Sequence, residues 1–165
     1  MSTLFVLKVE NQNTAEQMVN TMKQLQSQHL IEIDDAAIIT REMNGKPKIK
    51  QLHDLVGTGA LGGAFWGLLF GMLFFMPFVG AAIGAASGAI AGKFADIGID
   101  DNFIKNVGEQ LQPGQTALFA LTKNAVPDKV LDALKSYKFQ IIQTSLPKEK
   151  EVELREMLGQ HQHSM

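Results

Sequence analysis

The sequence predicts an α+β protein: a ferredoxin-like domain, ordered β-α-β and then β-α-β, with a glycine-zipper helical hairpin inserted at its middle. Two observations predict this fold. Short apolar runs rich in β-formers alternate with amphipathic helical patterns near both ends of the chain. Between them, residues 55–92 contain no charged side chain. The predicted divisions are residues 1–50 for the first half of the domain, 55–95 for the hairpin, 97–160 for the second half with extra helices, and 161–165 for a tail.

The first 45 residues predict a β-α-β unit. Thr3–Val9 is short and mostly apolar, which is typical of a buried strand. A helix is expected to follow as far as about Leu30, because its apolar residues are spaced by threes and fours. Residues 36–40 predict a second strand, and residues 44–47, Asn-Gly-Lys-Pro, predict a turn after it.

The last third of the chain repeats this order. The predicted elements are a helix capped by Asp100 or Asp101, a strand over residues 116–122, a helix opened by Pro127, a strand over Phe139–Thr144, and a last helix starting at Ser145 and Pro147. Without the middle segment, the two units together predict an antiparallel sheet with two helices on one face.

The middle segment predicts contact with membrane lipid. Its 38 residues without a charge, 55–92, exceed the roughly 18 apolar residues that indicate a membrane helix. The first arm, residues 55–76, is long enough to cross a bilayer at about 1.5 Å per residue. The second arm, residues 80–92, is mostly Gly and Ala, so it is expected to insert only when packed against the first. A short re-entrant hairpin, or a hairpin buried within a soluble oligomer, is the alternative.

Glycine recurs at every fourth position in both arms, with Pro77 between the two series. In water each helical glycine costs about 1 kcal/mol relative to alanine. In lipid, small residues allow helices to pack closely, which compensates for this cost. The predicted helix-packing and oligomer interface is Gly59, Gly63, Gly67, Gly71, Gly80, Gly84, Gly88 and Gly92. The residues predicted to face lipid are Phe65, Trp66, Leu69, Phe70, Leu73 and Phe74.

Basic residues next to the segment predict which side of the membrane the domain occupies. Arg41, Lys46, Lys48 and Lys50 precede the hairpin and Lys93 follows it, and such residues favour the cytoplasmic side. An even number of crossings also keeps both halves of the domain together. We therefore expect a cytoplasmic domain.

The composition offers little for catalysis or nucleic-acid binding. The absence of cysteine excludes disulfides, thiolate zinc sites and cysteine nucleophiles. A net charge of -2 gives no reason to expect nucleic acid as a partner. Asp96, Asp100 and Asp101 are candidates for an acid/base pair or a cation site, but helix capping explains at least one of them. His161 and His163 lie in a polar stretch typical of unliganded side chains. No enzyme activity, cofactor or metal site is predicted.

Four stretches of the sequence resemble a family of bacterial membrane proteins of unknown function. They are residues 62–71 (GGAFWGLLFG), 81–88 (AAIGAASG), 92–104 (GKFADIGIDDNFI) and 111–119 (LQPGQTALF). The third, with the alanine before it, is similar to the family's most distinctive signature. The resemblance implies bacterial origin and membrane association, hence an inner-membrane location. It implies no activity and supplies no functional residues.

The resulting hypothesis is a non-enzymatic, membrane-anchored protein that self-associates through its glycine faces. Its cytoplasmic domain is expected to bind a partner or to organise the envelope, although the sequence identifies no protein partner. One alternative is a regulatory module that senses a small ligand and is anchored by the hairpin. Another is an oligomer that forms a pore, which is less favoured because no ionisable residue lies in the segment.

Overall fold

The computed structural model describes residues 3–51, 66, 69–71, 73, 92 and 95–162. The elements with full bounds are β1 (Thr3–Val9), α1 (Gln12–Ser27), β2 (Glu32–Arg41), β3 (Pro47–Gln51), α2 (Asp101–Gln110), β4 (Thr116–Lys123), α3 (Pro127–Leu134), β5 (Phe139–Thr144) and α4 (Lys148–Gln162). Trp66, Leu69, Phe70, Gly71, Leu73, Gly92 and residues 95–97 are also helical. The chain is therefore α+β, as predicted.

The strands form one five-stranded antiparallel sheet in the order β3-β2-β4-β1-β5. The strands of β1-α1-β2 flank β4, and the strands of β4-α3-β5 flank β1. Each unit thus encloses a strand of the other. Because β1, β2 and β3 precede the uncharged segment while β4 and β5 follow it, the sheet requires both halves of the chain.

Local sequence explains where the helices begin. The Asn11 side chain caps α1 by accepting a hydrogen bond from the Thr14 backbone N–H at 2.8 Å. Asp100 caps α2 in the same way, accepting from the Phe103 N–H at 2.8 Å. The buried side of α1 consists of apolar residues spaced by threes and fours, namely Ala15, Met18, Val19, Met22 and Leu25. The predicted cap at Asp100 and the predicted helical spacing of α1 are confirmed.

The predicted turn after β2 is present, but it leads into a strand that the sequence analysis missed. Gly45 has a φ of +87°, and the Asn44 side chain accepts a hydrogen bond from the Lys46 N–H at 2.9 Å. The chain then forms β3, which pairs with β2 from Ala37 to Arg41. Pro47 is tolerated because β3 is an edge strand, and proline in a sheet is largely confined to such positions.

Helices cover both faces of the sheet rather than one. On the first face, α1, α3 and part of α4 pack over a core that includes Met18, Ile38, Leu118 and Phe139. On the second face, α2 and the helical residues near Trp66 pack over a core that includes Leu4, Ile39, Phe119 and Ile104. Strand β4 is buried from Thr116 to Thr122 without alternation, which is typical of a strand covered on both sides.

Most of the predicted hairpin, residues 55–95, lies outside the described residues. Within the described part of the chain, no helix is both long and apolar enough to span a bilayer. The predicted tail, residues 161–165, is corrected in one respect, because α4 continues to Gln162. The other predicted division boundaries are not tested by the structure.

Candidate functional site

The uncharged segment meets the second face of the sheet through a cluster of large side chains. Trp66, Leu69 and Phe70 have exposed fractions of 0%, 0% and 1%, and Leu73 is partly buried against them. Their spacing of three and four residues places all four on one side of a helix. The Trp66 ring stacks on Phe70 with centroids 5.5 Å apart, and Phe70 meets Phe119 of β4 edge-on at 5.2 Å.

This placement corrects the lipid-facing prediction for three residues. Trp66, Leu69 and Phe70 lie in the protein core because they cover the apolar second face of the sheet, which would otherwise be exposed between α2 and the sheet edge. Leu73 is only partly buried, and Phe65 and Phe74 lie outside the described residues. An apolar helix face packs equally well on lipid or on a protein core, so composition alone does not separate the two.

A buried acidic side chain anchors the tryptophan. Asp35 is 4% exposed, and its Oδ2 accepts a hydrogen bond from Trp66 Nε1–H at 2.8 Å. Its Oδ1 accepts from the backbone N–H of Ala36 at 2.8 Å. Both oxygens are therefore satisfied, as a buried carboxyl group requires. This contact joins β2 to the uncharged segment and was missed by the sequence analysis.

An irregularity in β2 explains why an aspartate reaches the core. The pairing of β2 with β4 shifts register between Ile33 and Asp35, so Asp34 is an extra residue in the strand. In a regular strand, residues two apart share a face. Here Ile33 packs on the first face, whereas Asp35 contacts Trp66 on the second. The Asp34 side chain is 19% exposed and pairs with Lys123 at 3.4 Å.

Two members of the predicted glycine interface are described. A Cβ placed on Gly71 or Gly92 would meet no heavy atom within 4 Å in the described part of the chain. The other six, Gly59, Gly63, Gly67, Gly80, Gly84 and Gly88, lie outside it. A close approach instead involves Gly108 of α2, whose added Cβ would lie 3.7 Å from the Leu73 carbonyl oxygen. The glycine-interface prediction remains a prediction.

The β2–β3 hairpin carries the basic residues that precede the segment. Lys46, Lys48 and Lys50 are exposed, and Met43 near the hairpin tip is 82% exposed. Lys50 donates a hydrogen bond to the Glu16 carboxylate of α1. That hydrogen bond, with a smaller contribution from the Gln12 side chain, holds the pKa of Glu16 below its ordinary value.

A cavity of about 290 Å³ opens on the first face of the sheet, between α3 and α4. Most of its lining is apolar and includes Phe5, Met22, Leu131, Ile141, Leu154 and Met157. Its polar lining comes from Thr3, Thr122, Lys123, Asn124, Lys150 and Glu153. This cavity was not predicted from the sequence, because its walls come from elements far apart in the chain.

The structure describes only some of the polar candidates named from sequence, and it does not bring those together. Asp100 caps α2, and Asp96 is exposed. His161 is helical, whereas His163 lies outside the described residues. Among the described residues, no group of three or more His, Asp or Glu side chains is arranged to hold a metal ion.

Residues 60–159 match the DUF1269 family, which is described as proteins of unknown function. The chain belongs to the DUF1269 family. No curated protein and no solved structure matches the chain.

The structural domain extends beyond the matched DUF1269 residues. The match begins at residue 60 and so excludes β1, β2 and β3. Yet β4 lies between β1 and β2 in the sheet, and β5 pairs only with β1 among the described strands. The DUF1269 residues therefore complete their core with strands supplied by the first 51 residues. Asp35, the partner of Trp66, also lies outside the match.

Proposed function

We propose that the chain is a non-enzymatic protein of the bacterial inner membrane, with a ferredoxin-like domain on the cytoplasmic side and a capacity to self-associate. The observation that carries this proposal is the 38-residue uncharged run at 55–92, which is longer than a membrane helix needs. The strand order β2-β4-β1-β5, with β3 added at the edge, supports the ferredoxin-like assignment.

The sheet topology supports an even number of membrane crossings. Strands that precede the uncharged segment in the chain pair directly with a strand that follows it: β1 and β2 both pair with β4. Both ends of the segment must therefore lie on one side of any membrane that it enters. A single crossing would separate paired strands.

The docking of Trp66, Leu69 and Phe70 favours a shallow insertion over two full crossings. With these residues and the partly buried Leu73 held on the sheet, the uncharged stretch between Leu73 and Gly92 is residues 74–91, which number 18. Two crossings need about 20 residues each. We therefore favour the re-entrant form of the hairpin, in which residues 74–91 enter one leaflet and return.

The β2–β3 hairpin supports this arrangement electrostatically. Lys46, in the turn before β3, and Lys48, within β3, are both exposed, and this edge strand ends four residues before the uncharged run begins at residue 55. Basic residues near an anionic membrane surface each contribute about 1 kcal/mol of attraction. The exposed Met43 near the hairpin tip adds an apolar contact for the interface.

The open space at Gly71 and Gly92 supports self-association through the glycine faces. Neither residue is explained by a close contact within the described part of the chain. Small residues that allow close backbone approach are typical of helix interfaces in membranes. A second copy is the proposed neighbour.

Fractionation tests the membrane proposal. The native protein should remain with floating membranes after an alkaline carbonate wash. Release as a soluble particle would mean that the segment is buried in a protein assembly and would reject the proposal. Self-association is tested separately by sizing in mild detergent, where Gly63→Leu/Gly67→Leu and Gly84→Leu/Gly88→Leu should reduce the oligomer. An unchanged size for both double variants would reject the glycine interface.

A further inference from the structure

A buried hydroxyl group without a hydrogen-bond partner lies in the cavity between α3, α4 and the sheet. Thr122 of β4 lines this cavity and is 3% exposed. Its hydroxyl makes no hydrogen bond to any residue that the structure describes. A buried polar group without a partner costs about 1–3 kcal/mol. Inside a cavity, a water molecule or a ligand atom satisfies such a group, and a ligand that supplies the hydrogen bond gains from it.

The neighbours of Thr122 make this part of the cavity suited to an anion. Thr3 pairs directly opposite Thr122 in the sheet and also lines the cavity. Lys123 and Asn124 follow along the chain and also line the cavity, but the Lys123 ammonium pairs with Asp34 at 3.4 Å and the Asn124 amide donates to Glu32 at 3.3 Å. The ammonium that offers charge to a ligand is that of Lys150 in α4, which is exposed and has no ion-pair partner among the described residues. Glu153 is the one acidic side chain of the lining.

The remainder of the cavity suits a hydrocarbon chain. Its walls include Phe5 and Ile141 from the sheet, Leu131 from α3 and Leu154 from α4. An apolar cavity of roughly 150 Å³ accommodates benzene, so by simple scaling 290 Å³ accommodates about twelve non-hydrogen atoms. A carboxylic acid with a ten-carbon chain has this size.

We propose that this cavity binds a medium-chain fatty acid, with its carboxylate at Thr122 and Lys150 and its alkyl chain against α3 and α4. The carboxylate accepts hydrogen bonds from the Thr122 hydroxyl and the Lys150 ammonium group. The proposal is independent of the membrane function, because the cavity is on the first face and the uncharged segment docks on the second.

Calorimetric titration of the full chain with sodium decanoate, below its micelle concentration, tests this proposal. We expect saturable binding of one decanoate per chain. Thr122→Val keeps the shape of the side chain but removes its hydroxyl, so it should weaken binding by about tenfold. Lys150→Gln should weaken binding by about two- to fivefold, since the lysine is exposed. Decyltrimethylammonium, which has the same chain length and the opposite charge, should bind at least tenfold more weakly.

A matched pair of variants on α4 locates the alkyl chain. Leu154→Trp fills the cavity and should abolish decanoate binding. Val152→Trp adds the same ring on the same helix at a position that is 50% exposed, so it should leave binding unchanged. Thr122→Val should also retain or increase thermal stability, because it removes an unpartnered hydroxyl, whereas a merely structural threonine would lose stability.

Three outcomes would overturn the proposal: no decanoate binding by the native chain, equal loss of binding in both tryptophan variants, or decyltrimethylammonium binding as tightly as decanoate. Flotation with membranes is not affected by any of these results, so failure here is distinguishable from failure of the membrane proposal.

Discussion

Replacing Trp66 with phenylalanine should separate the two contributions of this side chain to the fold. Phenylalanine retains most of the aromatic packing on Phe70 and Phe119, whose centroids lie 5.5 and 6.4 Å from that of Trp66. It removes the indole N–H that donates to Asp35 at 2.8 Å. Asp35 is 4% exposed, so water does not readily replace the lost donor.

The expected cost is therefore that of a buried hydrogen bond to a carboxyl group, about 1.5–3 kcal/mol of unfolding free energy. For a chain of this length, this cost corresponds to a fall in Tm of about 3–12 °C. Asp35→Val should destabilise the protein comparably, because it removes the carboxylate oxygen that accepts the hydrogen bond from the indole N–H. The double variant should cost less than the sum of the two single variants, since neither buried partner then remains unsatisfied.

Urea unfolding followed by far-ultraviolet circular dichroism measures these three variants against the native protein. Sites that do not interact give coupling energies below about 0.5 kcal/mol in a double-mutant cycle. That result would refute the hydrogen bond as a link between β2 and the uncharged segment.

Trp66 is the only tryptophan, so its fluorescence tests its surroundings directly. In the placement described here, the native protein bound to vesicles should show blue-shifted emission and little quenching by brominated lipid chains. Strong quenching would restore the lipid-facing prediction for Trp66 and refute its place in the core.

Three further predictions concern single contacts. Gly108→Ala should raise the unfolding free energy by about 0.5–1 kcal/mol in urea titrations, because alanine is the better helix former. The added Cβ would make an ordinary 3.7 Å contact with the Leu73 carbonyl oxygen. Destabilisation would show that α2 lies closer to Leu73 than this distance. The lowered pKa of Glu16 stabilises the fold above the ordinary value of 4.5 and ceases to do so as pH falls through the folded pKa. Lys50→Gln should therefore lower Tm at pH 7 but not at pH 3, and an equal loss at both values would contradict this assignment. Gly114→Ala should cost about 1–2 kcal/mol because Gly114 has a φ of +88°, and a thermal melt unchanged from the native one would oppose that reasoning.

Local patterns were sufficient for most of the elements at the two ends of the chain. The bounds of β1 and β5 agree with prediction, and the cap at Asp100 is confirmed. These features depend on short-range chemistry: alternation, helical spacing and one side chain accepting one backbone N–H. Strand β3 was missed because Pro-Lys-Ile-Lys-Gln has a single apolar residue, and an edge strand is held chiefly by backbone hydrogen bonds that its composition does not reveal.

The second core was missed for a different reason. Hydrophobicity predicts that Trp66, Leu69 and Phe70 avoid water, but it does not specify whether lipid or protein covers them. The sequence did contain a relevant signal in β4, where Ala-Leu-Phe-Ala-Leu lacks the alternation of a strand with one solvated face. A strand buried on both sides requires a second covering layer, and the uncharged segment is a large apolar source for it. Asp35 gave no comparable signal, because its inward position depends on the irregular pairing after Ile33.

The uncharged segment lies between β3 and β4 in the chain and docks on one face of the sheet. Its contact with a membrane is therefore linked to the stability of the whole domain. Strand β4 must pair with β1 and β2 across the uncharged residues. Loop-closure entropy grows only with the logarithm of loop length, so a long insertion is tolerated. Docking of Trp66 on the sheet fixes a point inside that insertion, so pulling the segment into lipid would remove side chains from the second core. The stability of the domain should therefore oppose any deeper insertion that draws residues before position 74 into the membrane. Trp66→Ala weakens the docking on the sheet, so it should deepen insertion as it destabilises the sheet.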